Sequence, residues 1–168
     1  MRENMKKHVL SVLVENHSGV LSRISGLFSR RGYNIDSLSV GETEDPKVSR
    51  MTIVTAADES TLEQIKKQLN KLVDVIKVLE LKEETSIYRE LAMIKIHASK
   101  ATRAEIIEIA NIFRAHIVDV SNDSLIIEAT GDQGKISALT SMVEPYGIKE
   151  IIRTGLTALQ RGEKELKN

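Results

Sequence analysis

The order in which hydrophobic periodicities follow one another constrains this chain more than any single residue does. Residues 8–15, rich in Val and Leu, read as a buried strand. Val20, Ile24, Leu27 and Phe28 follow at helical spacing, with Leu21 widening the apolar face. Gly32 is placed to end that helix in a left-handed conformation. A short strand over 35–40, the turn GETEDPK centred on Asp45-Pro46, and a strand over 50–56 make an antiparallel hairpin. Ser60-x-x-Glu63 reads as a capping box for a helix carrying Leu62, Ile65, Leu69 and Leu72, and residues 73–81 return to strand character.

The same order then recurs. Residues 82–86, KEETS, form a polar linker, and 91–98 is again a strand. Thr102-x-x-Glu105 predicts a second capping box, opening a helix with Ile106, Ile109, Ala110 and Phe113. Strands over 117–121 and 125–130 flank the turn Asn122-Asp123. A helix over 131–143 carries Ile136, Leu139 and Met142, and a strand begins at 148 and runs toward 159. The charged tail from Gly162 is expected to fray. Strand–helix–strand–strand–helix–strand, twice, defines an α+β chain of two ferredoxin-like βαββαβ domains, residues 1–82 and 83–168. Each sheet buries one face under two helices. Domains this small are expected to have the other face covered by a partner subunit.

Composition narrows the function classes. Lys plus Arg and Asp plus Glu are 24 each, so a general electrostatic surface for nucleic acid or membrane is not expected. Aromatics are 3%, and none forms a base-stacking platform on a strand, which excludes the RNA-binding use of this strand order. The absence of cysteine removes thiol chemistry and fits a reducing cytoplasm. The apolar run near the N-terminus is broken by Ser11 and Glu15 and reads as a strand rather than a signal peptide, and nothing approaches the length of a membrane span. His8, His17, His97 and His116 are scattered, so no metal site and no catalytic constellation is expected. Nucleophile elbow, P-loop and dinucleotide fingerprint are all missing.

What remains is the turn Asn16-His17-Ser18-Gly19 at the first strand–helix junction. A glycine turn opening a helix is suited to a small carboxylate, which the first helical N–H groups would receive. The same residues also serve a purely structural turn, with Asn16 or Ser18 as helix cap. Asn34, at the start of the second strand, lies close to the turn in the sheet plan or faces the equivalent turn of a second chain. The second half has HASKATRAE in place of this turn, so the fold does not itself require it.

The text ENHSGVLSRISGLFSRRGYNIDSLSVG, with SRMTIVT and LEQIKKQLNKLVDVIKV after it, resembles the ACT domain of acetolactate synthase (acetohydroxyacid synthase) small subunits over about residues 8–82. YRELAMIKI and IFRAHIVDV resemble that family's C-terminal domain. The resemblance implies a regulatory subunit without its own catalytic site or cofactor. Its partner would be a large catalytic subunit that uses thiamine diphosphate, Mg²⁺ and FAD in branched-chain amino acid biosynthesis. It implies activation of that subunit, feedback inhibition by valine, and a homodimer through the ACT domains. The effector site it implies takes Asn16, Ser18, Gly19, Val20 and Leu21 from one chain and Asn34 and Ile35 from the other. The alternative is a stand-alone ACT sensor of amino acids acting on another enzyme or on transcription.

Overall fold

The computed structural model describes residues 5–167. They form two compact units: the described residues up to Ile87 together with those from Leu156 onward, and Tyr88–Gly155. Each is α+β and ferredoxin-like.

In the first unit β1 (Lys6–Glu15), α1 (Val20–Arg30), β2 (Ser37–Glu42), β3 (Val48–Ala57), α2 (Glu59–Leu69) and β4 (Val75–Leu81) follow in turn. The antiparallel sheet has the order β2-β3-β1-β4, with β1 and β3 paired over their full length from Lys6 opposite Ala57 to Glu15 opposite Val48. Alternation along β1 sends Leu10, Val12 and Val14 into a core with Ile24, Phe28, Met51, Ile53, Leu62, Ile65 and Leu69. Helix α1 ends as expected at Gly32, whose φ of 71° lets the Tyr33 N–H reach the Phe28 carbonyl at 3.0 Å and its own N–H reach that of Ser29 at 3.2 Å. Tyr33 meets Phe28 edge-on, which adds the apolar contact this helix ending favours. Helix α2 starts two residues before the expected box. Its cap is Asp58, which accepts from the Thr61 N–H at 2.7 Å, because Asp58 has the extended backbone a cap needs and Ser60 is already helical.

In the second unit β5 (Ser86–His97), α3 (Arg103–Ile112), β6 (His116–Val120), β7 (Ser124–Gly131), α4 (Gln133–Val143) and β8 (Ile148–Arg153) give the sheet order β6-β7-β5-β8. Its core gathers Ala92, Ile94, Ile96, Leu125, Ile127, Ile106, Ile136 and Leu139. Asp132 caps α4 through the Lys135 N–H. Thr102 does precede α3, but its hydroxyl lies against that of Ser99 instead of capping the helix. The expected strand from 148 toward 159 is two strands, because Gly155 at φ 83° turns the chain before β9 (Thr157–Gln160). Met93 and Ile152 stand exposed on the sheet face away from the helices. Among the described residues, no helix is long and apolar enough to cross a membrane.

The tail does not fray. Residues 156–167 return to the first unit and lie on the sheet face away from its helices. The Leu156 N–H donates to Ser37 Oγ and its carbonyl accepts from Ser39 Oγ. Arg161 N–H donates to the Thr85 carbonyl. Leu166 is buried with Leu13 and Val48, and its carbonyl accepts from Arg50. The first unit thus supplies from its own chain much of the cover that was expected from a partner. A charged stretch reads as frayed in sequence, yet Leu166 within it is buried against an apolar face.

Candidate effector site

The turn after β1 is held on both sides by the backbone. Asn16 N–H donates to the Lys47 carbonyl at 2.7 Å, and Glu15 N–H to the Asp74 carbonyl at 2.9 Å. Gly19 then takes φ 89°, a left-handed conformation that side chains other than Gly, Asn and Asp rarely accept, and α1 begins at the next residue. No side chain caps this helix among the described residues, and its first turn holds no acidic group. Its leading N–H groups have no intrahelical acceptor, as in every α-helix, and the helix dipole adds a partial positive charge there.

The side chains of the expected site have distinct situations. Asn16 is no cap: its amide donates to the Pro46 carbonyl at 2.8 Å and to Glu42 at 3.2 Å, tying the turn to the β2–β3 hairpin. Ser18 is exposed and does not cap the helix. Val20 is buried in the core, so only its backbone faces outward, whereas Leu21 is 46% exposed beside the turn. Ile35 packs partly against the same core. Asn34 donates to Asp36 at 2.5 Å, and its backbone carbonyl accepts from Thr55 Oγ1 at 2.6 Å.

Register bears on one of the two positions open to Asn34, closeness to the turn within one chain. Asn16 is fastened at Lys47, before the start of β3, and Asn34 at Thr55, near the end of that strand. Eight residues of extended chain separate those levels, roughly 26 Å at about 3.3 Å per residue. β2 runs parallel to β1, so the end of one and the start of the other lie at opposite ends of the sheet. The expectation that Asn34 lies close to the turn within one chain is therefore corrected. Asn16 and Gly19 stand at one end, Asn34 and Ile35 at the other.

Three residues near the turn were not singled out in the sequence as a group. Asp74, in the loop before β4, is buried and receives Arg23 Nε at 2.5 Å and His17 Nε2 at 2.9 Å. The Arg23 guanidinium lies 3.5–3.8 Å from where a Cβ on Gly19 would stand, so the helix entrance carries a fixed cation. The Ser18 carbonyl, with Asp74 and Glu15 helping, holds the His17 imidazolium above its ordinary range, against desolvation and Arg23. His17 and Arg23 flank the turn in sequence, but Asp74 is too remote for any spacing rule to connect them.

Two family models match in tandem. One, an AHAS small subunit-like ACT domain, covers residues 10–77, and the other, small subunit of acetolactate synthase, covers 89–162. The acetolactate synthase small subunit of Mycolicibacterium smegmatis is 55% identical over 164 residues, 98% of this chain and 96% of that protein. The chain belongs to the acetolactate synthase small-subunit family. A probable acetolactate synthase small subunit of Archaeoglobus fulgidus is 56% identical over 95% of this chain and 99% of its own length. The crystal structure of the acetolactate synthase small subunit from Thermotoga maritima matches with a TM-score of 0.88 at 40% identity, over 95% of this chain and 99% of that one. As a small subunit of this family, the protein is regulatory in class, and an ACT domain fits an amino-acid ligand better than a cofactor.

Proposed function

We propose that this small subunit binds valine at the Gly19 turn and transmits its presence to a thiamine-dependent catalytic subunit, which it also activates. The observation that carries the reading is the α1 entrance: a left-handed glycine, no side-chain cap and no acidic group in the first helical turn. Nothing in that arrangement competes with an incoming carboxylate. The carboxylate would meet the N–H groups around Gly19, Val20 and Leu21, and Ser18 would border it. Asn34 of a second copy would offer its carbonyl oxygen to the ammonium group, since its amide hydrogens are turned to Asp36. Leu21 of one chain and Ile35 of the other would line the space for the isopropyl group. The opposite-end placement of Asn34 supports a homodimer in which each site draws on two chains. The subunit itself would need no catalytic group, and the reading carries a cytoplasmic location with it.

Binding regulates only if it favours one arrangement of the subunits over another, and a coupling of roughly 1–3 kcal/mol changes affinity about 5- to 150-fold. Gly19→Asp places a negative charge where the carboxylate would sit, while Gly19→Asn has nearly the same shape and tolerates positive φ equally well. Calorimetric titration with valine should show binding lost in the Asp variant and largely kept in the Asn variant. Normal binding by Gly19→Asp would move the site elsewhere. Reconstitution with the large subunit, titrated with valine, leucine and isoleucine in turn, reads the regulatory half of the proposal.

A further inference from the structure

The returning tail does not seal the sheet face that it covers. A cavity of about 220 Å³ lies between them, floored by Ser11, Arg50, Leu79 and Leu81 and roofed by tail residues between Leu159 and Leu166. Alternation along β1 puts Ser11 on the face opposite Leu10 and Val12, toward this cavity. Ser11 is 1% exposed, and its hydroxyl has no hydrogen-bond partner among the described residues. A buried hydroxyl left unpaired costs stability, and alanine would fit the same place without that cost.

The geometry points to a binding site for a small aliphatic carboxylate in this cavity, with Ser11 and Arg50 as its anchors. Arg50 and Lys164 bring two cations to the lining, against one acid, Glu165, which Lys167 already holds at 2.8 Å. The lining therefore favours an anion. Arg50 is steadied by its bond from Nη2 to the Leu166 carbonyl, and a guanidinium suits a carboxylate better than an ammonium does. The Ser11 hydroxyl would donate to the same carboxylate and so gain the partner it lacks. Leu79, Leu81 and Leu159 offer an apolar wall for the body of the ligand. A cavity of roughly 150 Å³ lined by apolar side chains takes benzene, so this one suits an acid of about five or six carbons. An ammonium group beside the carboxylate would face the two cations with Glu165 engaged, which sets the acid above the matching amino acid. Bound there, the ligand would bridge β1 and β3 to the tail and hold the tail down. This site does not depend on where valine binds.

The whole protein is titrated with isovalerate by calorimetry near pH 7.5, and hydrogen exchange is followed with and without the acid. One molecule bound per chain and slower exchange in residues 159–166 are expected. Isopentanol, the same body without the charge, should bind at least tenfold more weakly, and valine should leave exchange in the tail unchanged. Ser11→Ala should weaken isovalerate binding about three- to tenfold, the worth of one hydrogen bond, while the Tm without ligand stays level or rises. Arg50→Gln keeps a donor for the Leu166 carbonyl and should weaken binding more than tenfold. Gly19→Asp should bind isovalerate as the wild type does. Absence of saturable binding would mean that the cavity holds water only and would overturn the assignment. Equal binding by Ser11→Ala and Arg50→Gln, isopentanol bound as tightly as the acid, or loss of binding in Gly19→Asp would each overturn it as well.

Discussion

Arg114 holds φ at 52°, the position after α3 where the second unit repeats the helix ending that Gly32 gives α1. Its N–H bonds the Asn111 carbonyl and that of Ala115 reaches the Ala110 carbonyl at 2.8 Å, so the motif forms despite the side chain. A left-handed backbone costs an ordinary residue about 1–2 kcal/mol, part of which glycine recovers against its own chain entropy. Arg114→Gly is therefore expected to raise unfolding stability by about 0.5–1 kcal/mol in urea denaturation. A fall in stability would show that the arginine side chain makes contributions beyond its backbone. At Asp58 the bond from the Thr61 N–H holds the carboxyl below its ordinary range. A depressed folded value means that this contribution is present above the unfolded value of 3.8 and is lost as pH falls through the folded one. In Asp58→Asn the acid limb of the stability curve should flatten, as measured by urea midpoints between pH 2 and pH 6. An unchanged limb would assign the acid sensitivity to other carboxylates.

At the scale of elements, the informative segment is the returning tail. Rows of the first sheet such as Ser39, Thr52, Ser11 and Leu79 mix hydroxyls with apolar groups on the face it covers. Ser11 is almost fully buried, and its hydroxyl is without a hydrogen-bond partner among the described residues. Leu166 is the anchor, packed with Leu13 and Val48 and bordered by Ile76 and Leu79. Leu166→Ala should cost about 2 kcal/mol, the low end for buried leucine because the tail can shift to relax the gap. Hydrogen exchange should then report faster exchange in residues 161–167 with little change in α1 and α2. Uniform protection across the tail would mean that the backbone bonds to Arg50 and Lys77, and not the leucine, hold it. A chain cut at Ile87 also loses this cover, so it is expected to melt lower and bind more apolar dye than the whole protein.

For the whole molecule, the opposite-end placement of Gly19 and Asn34 makes a test that a single-chain site would fail. Gly19→Asp and Asn34→Ala chains, each defective alone, are unfolded and refolded together in equal amounts. If each site takes one half from each chain, mixed dimers have one doubly defective site and one intact site. With random pairing, roughly a quarter of the normal valine sites should return by calorimetry. No recovery would place both residues' roles within one chain or remove one of them from the site.

The βαββαβ order of both halves was legible because alternating and helical apolar stripes are local, as in Leu10, Val12 and Val14 or Leu62, Ile65 and Leu69. So was the Gly32 ending, since only the backbone freedom of the residue itself is involved. The family's text also marked Asn16 to Leu21 as a unit. Tertiary structure alone decided the rest, because each remaining feature joins residues far apart in the chain. Cap position at Asp58 depended on backbone angle, and the tail's fate depended on a complementary face formed by Leu13 and Val48. Strand direction set Asn34 at the far end of the sheet from Gly19, and chain return brought Asp74 under His17. Periodicity records which side of an element is apolar; it does not record which distant groups that element will meet.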